Sequence, residues 1–141
     1  MKRVFAIFTL VVLWPMVLRA DEPKSGGYEA YEAYTTLMST RTFAIGGVGF
    51  AGTTSEPELA LREVLKQPDA VATCQKLVAN ATVEGQMYGL LGLKLSNDKT
   101  FAQALTKYKN SKAAIKVMSG CILGTEKVGE VAERIEKGSY K

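Results

Sequence analysis

The chain has 141 residues, of which 18 are basic and 14 acidic, and it contains no histidine. The absence of histidine excludes Ser-His-Asp and Cys-His nucleophiles, histidine metal ligands and histidine acid–base catalysis. Three of the basic residues lie in the first twenty positions, so the remainder is close to neutral. Such a charge offers no electrostatic basis for binding nucleic acid or an anionic membrane. We therefore expect a protein that is not an enzyme and needs no cofactor or metal.

The first twenty residues have the pattern of a secretory signal peptide. Lys2 and Arg3 precede an apolar run over 4–18, which Pro15 interrupts. This run is shorter than the roughly 20 residues that a membrane-spanning helix requires. We predict cleavage after Ala20, and hence a secreted or periplasmic protein without an integral membrane segment. A polar stretch over 21–27 is then expected to be a flexible arm.

Residues 28–141 read as a single, compact, mainly α domain. Apolar positions at helical spacing predict about five to six short helices, with Ser55, Thr82 and Thr125 as N-caps. Segments 41–45 and 113–123 are β-prone, and we expect them to pair as a two-stranded ribbon against the helices. The predicted helices cover residues 28–38, 56 to before 68, 69–80, 83–95, about 98–109 and 126–137.

Three glycines lie on one face of the predicted helix 83–95. Gly85, Gly89 and Gly92 follow one another at intervals of four and three residues. Each glycine costs a helix interior about 1 kcal/mol relative to alanine, so a compensating reason is expected. The alternatives are the close approach of another backbone and a ligand lying along the smooth face. The apolar character of the whole segment favours close packing of helices.

Two cysteines remain for an exported chain. An even number of cysteines in an oxidising compartment favours a disulfide. Cys74 shares a helix face with Val71 and Leu77, and Cys121 is expected to share a strand face with Ile115 and Val117. We therefore predict a Cys74–Cys121 disulfide inside the core, with two buried free thiols as the alternative.

A glycine-rich segment over 46–54 contains the pattern G-x-G-x-x-G, in the letters GVGFAG. A dinucleotide site requires a helix that opens at the third glycine and a second parallel strand beyond it. Here the next helix begins only after Thr54, and another helix follows it. We interpret the segment as a strand-to-helix connection that could hold a small anion or contact a partner. The residues of this candidate site are Gly46, Gly47, Gly49, Gly52, Thr53 and Thr54.

Asn80-Ala81-Thr82 matches the N-glycosylation pattern. The same asparagine and threonine stand where one predicted helix ends and the next begins. We favour the helix-capping interpretation of this pattern.

Several acidic residues share helix faces but are expected to be exposed to solvent. They show no apolar setting that would raise a carboxyl pKa for acid catalysis. The residues concerned are Glu29, Glu32, Glu126, Glu130 and Glu133.

The run ALREVLKQPDAVATCQKLVANATVEGQMYGLLGLKL, residues 60–95, resembles HEAT-type helical hairpins in its short helices and brief turns. This resemblance implies a scaffold or protein-binding role, and it transfers no functional residue. The segments FAIGGVGFAG and MSGCILG resemble parts of secreted bacterial proteins.

We expect a non-enzymatic secreted or periplasmic protein that binds a macromolecule, with a protein as the partner. The first alternative is an inhibitor of a secreted enzyme whose loop 46–54 enters a cleft. The second is a small carboxylate-based hydrolase or a ligand carrier. A protruding rigid loop favours the inhibitor, an exposed apolar patch favours the scaffold, and a cavity lined by carboxylates favours the enzyme.

Overall fold

Helices and strands are mixed along the chain in the computed structural model, which describes residues 26–140 and side chains from residue 29. The predicted signal peptide and residues 21–25 of the predicted arm lie outside the described residues. The last two residues of that arm, Gly26 and Gly27, belong to the first helix. In chain order the elements are α1 Gly26–Ser39, β1 Phe43–Val48, β2 Thr53–Thr54, α2 Glu56–Leu65, α3 Ala70–Asn80, α4 Val83–Leu95, α5 Phe101–Thr106, β3 Ala114–Gly120, β4 Ile122–Lys127 and α6 Val128–Glu136.

The predicted mainly α class with a two-stranded ribbon is wrong. The described residues form six helices and one four-stranded mixed sheet, so the fold is α/β. The strand order is β2-β1-β3-β4. The central pair, β1 and β3, is parallel and contains the two segments predicted to pair. Antiparallel hairpins add β2 on one side and β4 on the other.

The segment predicted as one strand over 113–123 is a hairpin. Ser119 pairs with Ile122, which leaves Gly120-Cys121 as a two-residue turn. Gly120 has a φ of +55°, while Cys121 keeps a negative φ, as in a type II′ turn. Thr125 therefore lies in β4 rather than at a helix N-cap, and α6 begins at Val128 without a side-chain cap.

The helix ends of the middle segment were predicted correctly. Ser55 accepts a hydrogen bond from the Glu58 amide, and Thr82 accepts one from the Gly85 amide, so both are N-caps. Asn80 is exposed at the end of α3, and its amide group donates to the Lys76 carbonyl at 3.2 Å. These local bonds account for the helix ends without a glycan.

Helix α4 is the centre of the molecule, as its apolar circumference predicts. Its eight buried residues include all three glycines, and it packs along α3. A β-carbon at Gly89 would lie 2.8 Å from the Cys74 carbonyl oxygen. A β-carbon at Gly92 would overlap the Cys74 sulfur, and one at Gly85 would overlap the Leu37 carbonyl oxygen. The glycines thus permit close helix packing, which confirms that interpretation.

One face of the sheet completes the core. Phe43 is paired with Val117, and both are buried on the same face with Ile115. Helix α6 packs on α4 and contributes its buried stripe to the same core. Because alternate residues of a strand point to opposite faces, Lys116 and Met118 lie on the other face, where Lys116 is exposed.

Candidate binding surface

Two hairpin turns meet at one end of the sheet. Because β1 and β3 are parallel, the turns that follow them lie side by side. The β1–β2 turn covers residues 49–52 and closes with a bond from the Gly52 amide to the Gly49 carbonyl, at 3.1 Å. The Gly49 amide then donates to the Gly120 carbonyl in the β3–β4 turn, at 2.9 Å. The two loops are therefore joined at their bases.

These loops present apolar side chains directly to solvent. Phe50 is fully exposed, and Ile122 exposes 74% of its surface. Ala51 and Cys121 beside them are exposed as well. We call Phe50, Ala51, Cys121 and Ile122 the apolar tip. Exposed apolar groups gathered at one place are typical of an interaction surface.

The apolar tip and the segments around it also contain no charged residue. No charged residue occurs between Arg41 and Glu56, or between Lys116 and Glu126. Both stretches converge at the same end of the sheet, so the tip lacks the mixed charges that cover the helices. A surface of this kind selects partners by apolar contact and shape rather than by charge.

The glycine pattern of this segment has a conformational explanation. The structure places Gly46 and Gly47 in β1, Gly49 and Gly52 in the turn, and Thr53 and Thr54 in β2. Gly49 and Gly52 have φ values of +70° and +62°, which favour glycine. A β-carbon on Gly47 would come within 3.0 Å of the Gly52 carbonyl oxygen. The segment is a β-hairpin, which corrects the predicted strand-to-helix connection.

The helix after this hairpin disfavours the anion alternative. Strand β2 separates the turn from α2, so the third glycine does not open a helix. Glu56 and Glu58 occupy the first turn of α2. Their carboxylates complement the positive end of the helix dipole, where an anion would otherwise bind.

A buried carboxylate holds the base of the glycine hairpin. Glu58 is only 4% exposed, although it lies in the first turn of a surface helix. Its carboxylate accepts the Gly46 amide at 2.7 Å and an Arg62 guanidinium nitrogen at 2.6 Å. The sequence pattern alone does not single out Glu58 as a buried residue. The available signal was its position three residues after an N-cap serine and four before an arginine.

A buried tyrosine completes the same edge. The Tyr88 hydroxyl lies 2.8 Å from the Ala44 amide nitrogen and 2.9 Å from the Ala44 carbonyl oxygen. The Ser55 hydroxyl donates to that carbonyl as well, at 2.7 Å. Burial raises the pKa of Tyr88 to about 12, so the phenol keeps its proton at neutral pH. Side chains thus replace the backbone partners that β2 is too short to supply.

The two cysteines lie in different environments. Cys74 is buried between α3 and α4, and Cys121 is exposed in the β3–β4 turn. Both are free thiols, so the structure does not contain the predicted Cys74–Cys121 disulfide. The premise that both side chains point into one core is wrong for Cys121, because the chain turns one residue before it.

The acidic residues singled out in the sequence lie in two different settings. Glu29, Glu32, Glu130 and Glu133 are exposed, as expected. Glu126 was expected on an exposed helix face, but it lies in strand β4 and is half-buried. There it lines a cleft of about 350 Å³ beside the sheet and pairs with Arg134. The Nε of Arg134 also donates to the Tyr140 hydroxyl at 2.8 Å. The carboxylate in this cleft is therefore neutralised by a cation, as in a structural ion pair.

The part of the chain that the structure describes lacks two further features. No group of three or more Cys, Asp or Glu residues there is arranged to hold a metal ion. None of its helices combines the length and apolarity that crossing a bilayer requires. No protein-family model, curated protein or solved structure matches the chain.

Proposed function

We propose that this protein is a non-enzymatic secreted or periplasmic binding protein that contacts a partner protein through the apolar tip. The observation that carries the proposal is the joining of two uncharged hairpin turns, with Phe50 exposed in one turn and Ile122 exposed directly after the other. Apolar anchors concentrated at the centre of a contact supply most of the affinity of a protein interface. The resemblance of residues 60–95 to HEAT-type hairpins supports the same class of function.

Affinity capture from the extracellular or periplasmic fraction of the native source tests this proposal. We expect the unmodified protein to retain a partner that the variant Phe50→Ser, Ile122→Ser loses. Leu59→Ser is the matched control, because Leu59 is an exposed leucine on α2. The control should retain the partner. Equal retention by all three baits would refute a role for the tip.

The inhibitor alternative has one specific observation in its favour. The β1–β2 turn protrudes far enough to leave Phe50 fully exposed, while Glu58 and Gly120 fix its base. A rigid loop with one apolar anchor binds a cleft with little loss of conformational entropy. Under this alternative the captured partner is a secreted enzyme whose turnover the protein suppresses. Phe50→Tyr should preserve most of that suppression, and Phe50→Ser should abolish it.

A further inference from the structure

The two edges of the sheet differ in whether their outward backbone groups have hydrogen-bond partners. At the β1 edge, the outward groups of Ala44 bond to Tyr88 and Ser55, and the Gly46 amide bonds to Glu58. The short strand β2 covers the rest of that edge. At the opposite edge, the outward backbone groups of β4 have no hydrogen-bond partner among the described residues. Unpaired strand edges attract further strands unless the protein blocks them.

The register of the hairpin identifies the outward groups of β4. The Lys116 amide donates to the Glu84 carboxylate at 3.3 Å, so it points away from β4. Its partner Thr125 therefore occupies a non-hydrogen-bonded position of the β3–β4 ladder. Alternation along the strand places the N–H and C=O groups of Leu123, Thr125 and Lys127 on the open side. The Val128 amide bonds to the Ala113 carbonyl at 2.9 Å, which agrees with this alternation.

We propose that β4 pairs antiparallel with β4 of a second copy of this chain, which joins two four-stranded sheets into one sheet of eight strands. The two-fold axis passes through Thr125, and Leu123 of each copy lies opposite Lys127 of the other. All three outward residues then exchange both of their backbone hydrogen bonds with the partner strand. This proposal does not depend on the function assigned to the apolar tip.

Side-chain pairing selects this register. Threonine opposite threonine is a favourable cross-strand pair. The aliphatic stem of Lys127 covers the exposed Leu123, while its ammonium group reaches water. Sliding the strands by one ladder step toward the C-terminus would set Glu126 against Glu126, which is destabilising. Sliding them the other way leaves the Lys127 groups unpaired.

A second copy suits this edge better than an unrelated peptide. Peptides that add to a sheet edge gain specificity from pockets for alternate side chains. Glu126 is the one residue of β4 that lines the cleft beside the sheet, and its carboxylate is already paired with Arg134. A copy of β4 needs no such pocket, because its own sequence supplies the complementary residues.

Sedimentation equilibrium of the purified protein across a concentration series tests the pairing. We expect a monomer–dimer equilibrium, and Thr125→Pro should raise the dimer dissociation constant at least about tenfold, because proline lacks the central donor. The monomer should keep its circular dichroism, since proline is tolerated where an edge N–H faces solvent. Thr125→Val retains the donor and should dimerise normally. A protein that stays monomeric, or a dimer indifferent to Thr125→Pro, would overturn the proposal.

A distance measurement needs no change in β4. Cys121 is the exposed thiol, and it lies four residues from Thr125, so a spin label there reports the geometry of the pair. The antiparallel register predicts labelled backbones about 27 Å apart, at about 3.4 Å per residue. Phe50→Ser should leave this distance unchanged. A distance under about 15 Å would indicate contact between the apolar tips and would overturn the register.

Discussion

At Gly92 the space that a β-carbon would occupy is filled by the sulfur of Cys74. The contact joins the last turns of α4 to the middle of α3, and a Leu61 methyl group lies 3.3 Å from the same point. Neither side chain can withdraw, because Cys74 and Leu61 are both buried. Glycine at this position lowers the intrinsic stability of helix α4, but it allows α3 and α4 to pack more closely.

We predict that Gly92→Ala destabilises the protein by about 1–3 kcal/mol through overpacking, although alanine is the better helix former. Urea unfolding measures the change. Cys74→Ala removes the obstructing sulfur, so the same substitution should cost clearly less in that background. Gly85→Ala is the control, because it meets the Leu37 carbonyl oxygen, which Cys74→Ala leaves in place. A Gly92→Ala variant of unchanged or higher stability would contradict the packing argument.

The thiols give a second prediction at this scale. Burial raises the pKa of the Cys74 thiol to about 12, so it remains protonated and unreactive at neutral pH. We expect an aromatic disulfide reagent to modify one thiol, Cys121, in the native protein, and both thiols in urea. Cys121→Ser should remove only the rapid reaction. If unfolded protein that has never been reduced shows no reactive thiol, the two cysteines are joined as the sequence predicted.

Among the elements, the helices follow local rules and the sheet does not. The N-caps Ser55 and Thr82 can be predicted from the sequence because capping acts over a few residues. The same holds for the end of α2, which Pro68 indicates. The sequence does not reveal the β3–β4 hairpin, because apolar residues continue from one strand across the turn into the next. The residue that marks the turn is Gly120, which has a positive φ in the structure. Its signal was the dipeptide Gly-Cys between two β-prone runs, which a type II′ turn accepts.

The sequence predicts only part of the geometry of the candidate surface. The glycines at 46–52 indicated an unusual loop, and the structure places that loop at the tip. The neighbouring loop could not be assigned to the same place, because only the parallel pairing of β1 with β3 brings Gly120 to Gly49. Glu58 was missed for the same reason, since its partner Gly46 belongs to another element.

Glu58 provides the prediction at the element scale. Glu58→Ala leaves the Gly46 amide without its acceptor beneath the hairpin, and we expect a loss of about 1.5–3 kcal/mol in unfolding free energy. Glu58→Gln keeps a carbonyl acceptor and should cost less. The control is Glu63→Ala, which breaks an exposed contact with Lys66 and should cost about 0–1 kcal/mol. Hydrogen exchange at the Gly46 amide should accelerate in Glu58→Ala alone, and unaltered exchange would contradict the assigned bond.

For the whole molecule, the proposed location outside the cytoplasm rests on residues 1–20. We predict that the exported protein begins at Asp21, because a short basic segment, an apolar run and Ala20 precede it. Intact-mass measurement of material from the extracellular or periplasmic fraction checks this start. Exported protein that retains residues 1–20 would contradict it.

If the chain is exported N-terminus first, as we propose, the parallel pairing of β1 with β3 imposes an order of events on its folding. Phe43 pairs with Val117, more than seventy residues later, and the intervening chain contains α2 to α5. Such distant contacts form late, because a long loop must close first. In such an export β1 would emerge early and would stay without its central partner strand until residues 114–120 had followed. Under the proposed export, the N-terminal part therefore cannot complete its native sheet before residues 114–120 have crossed.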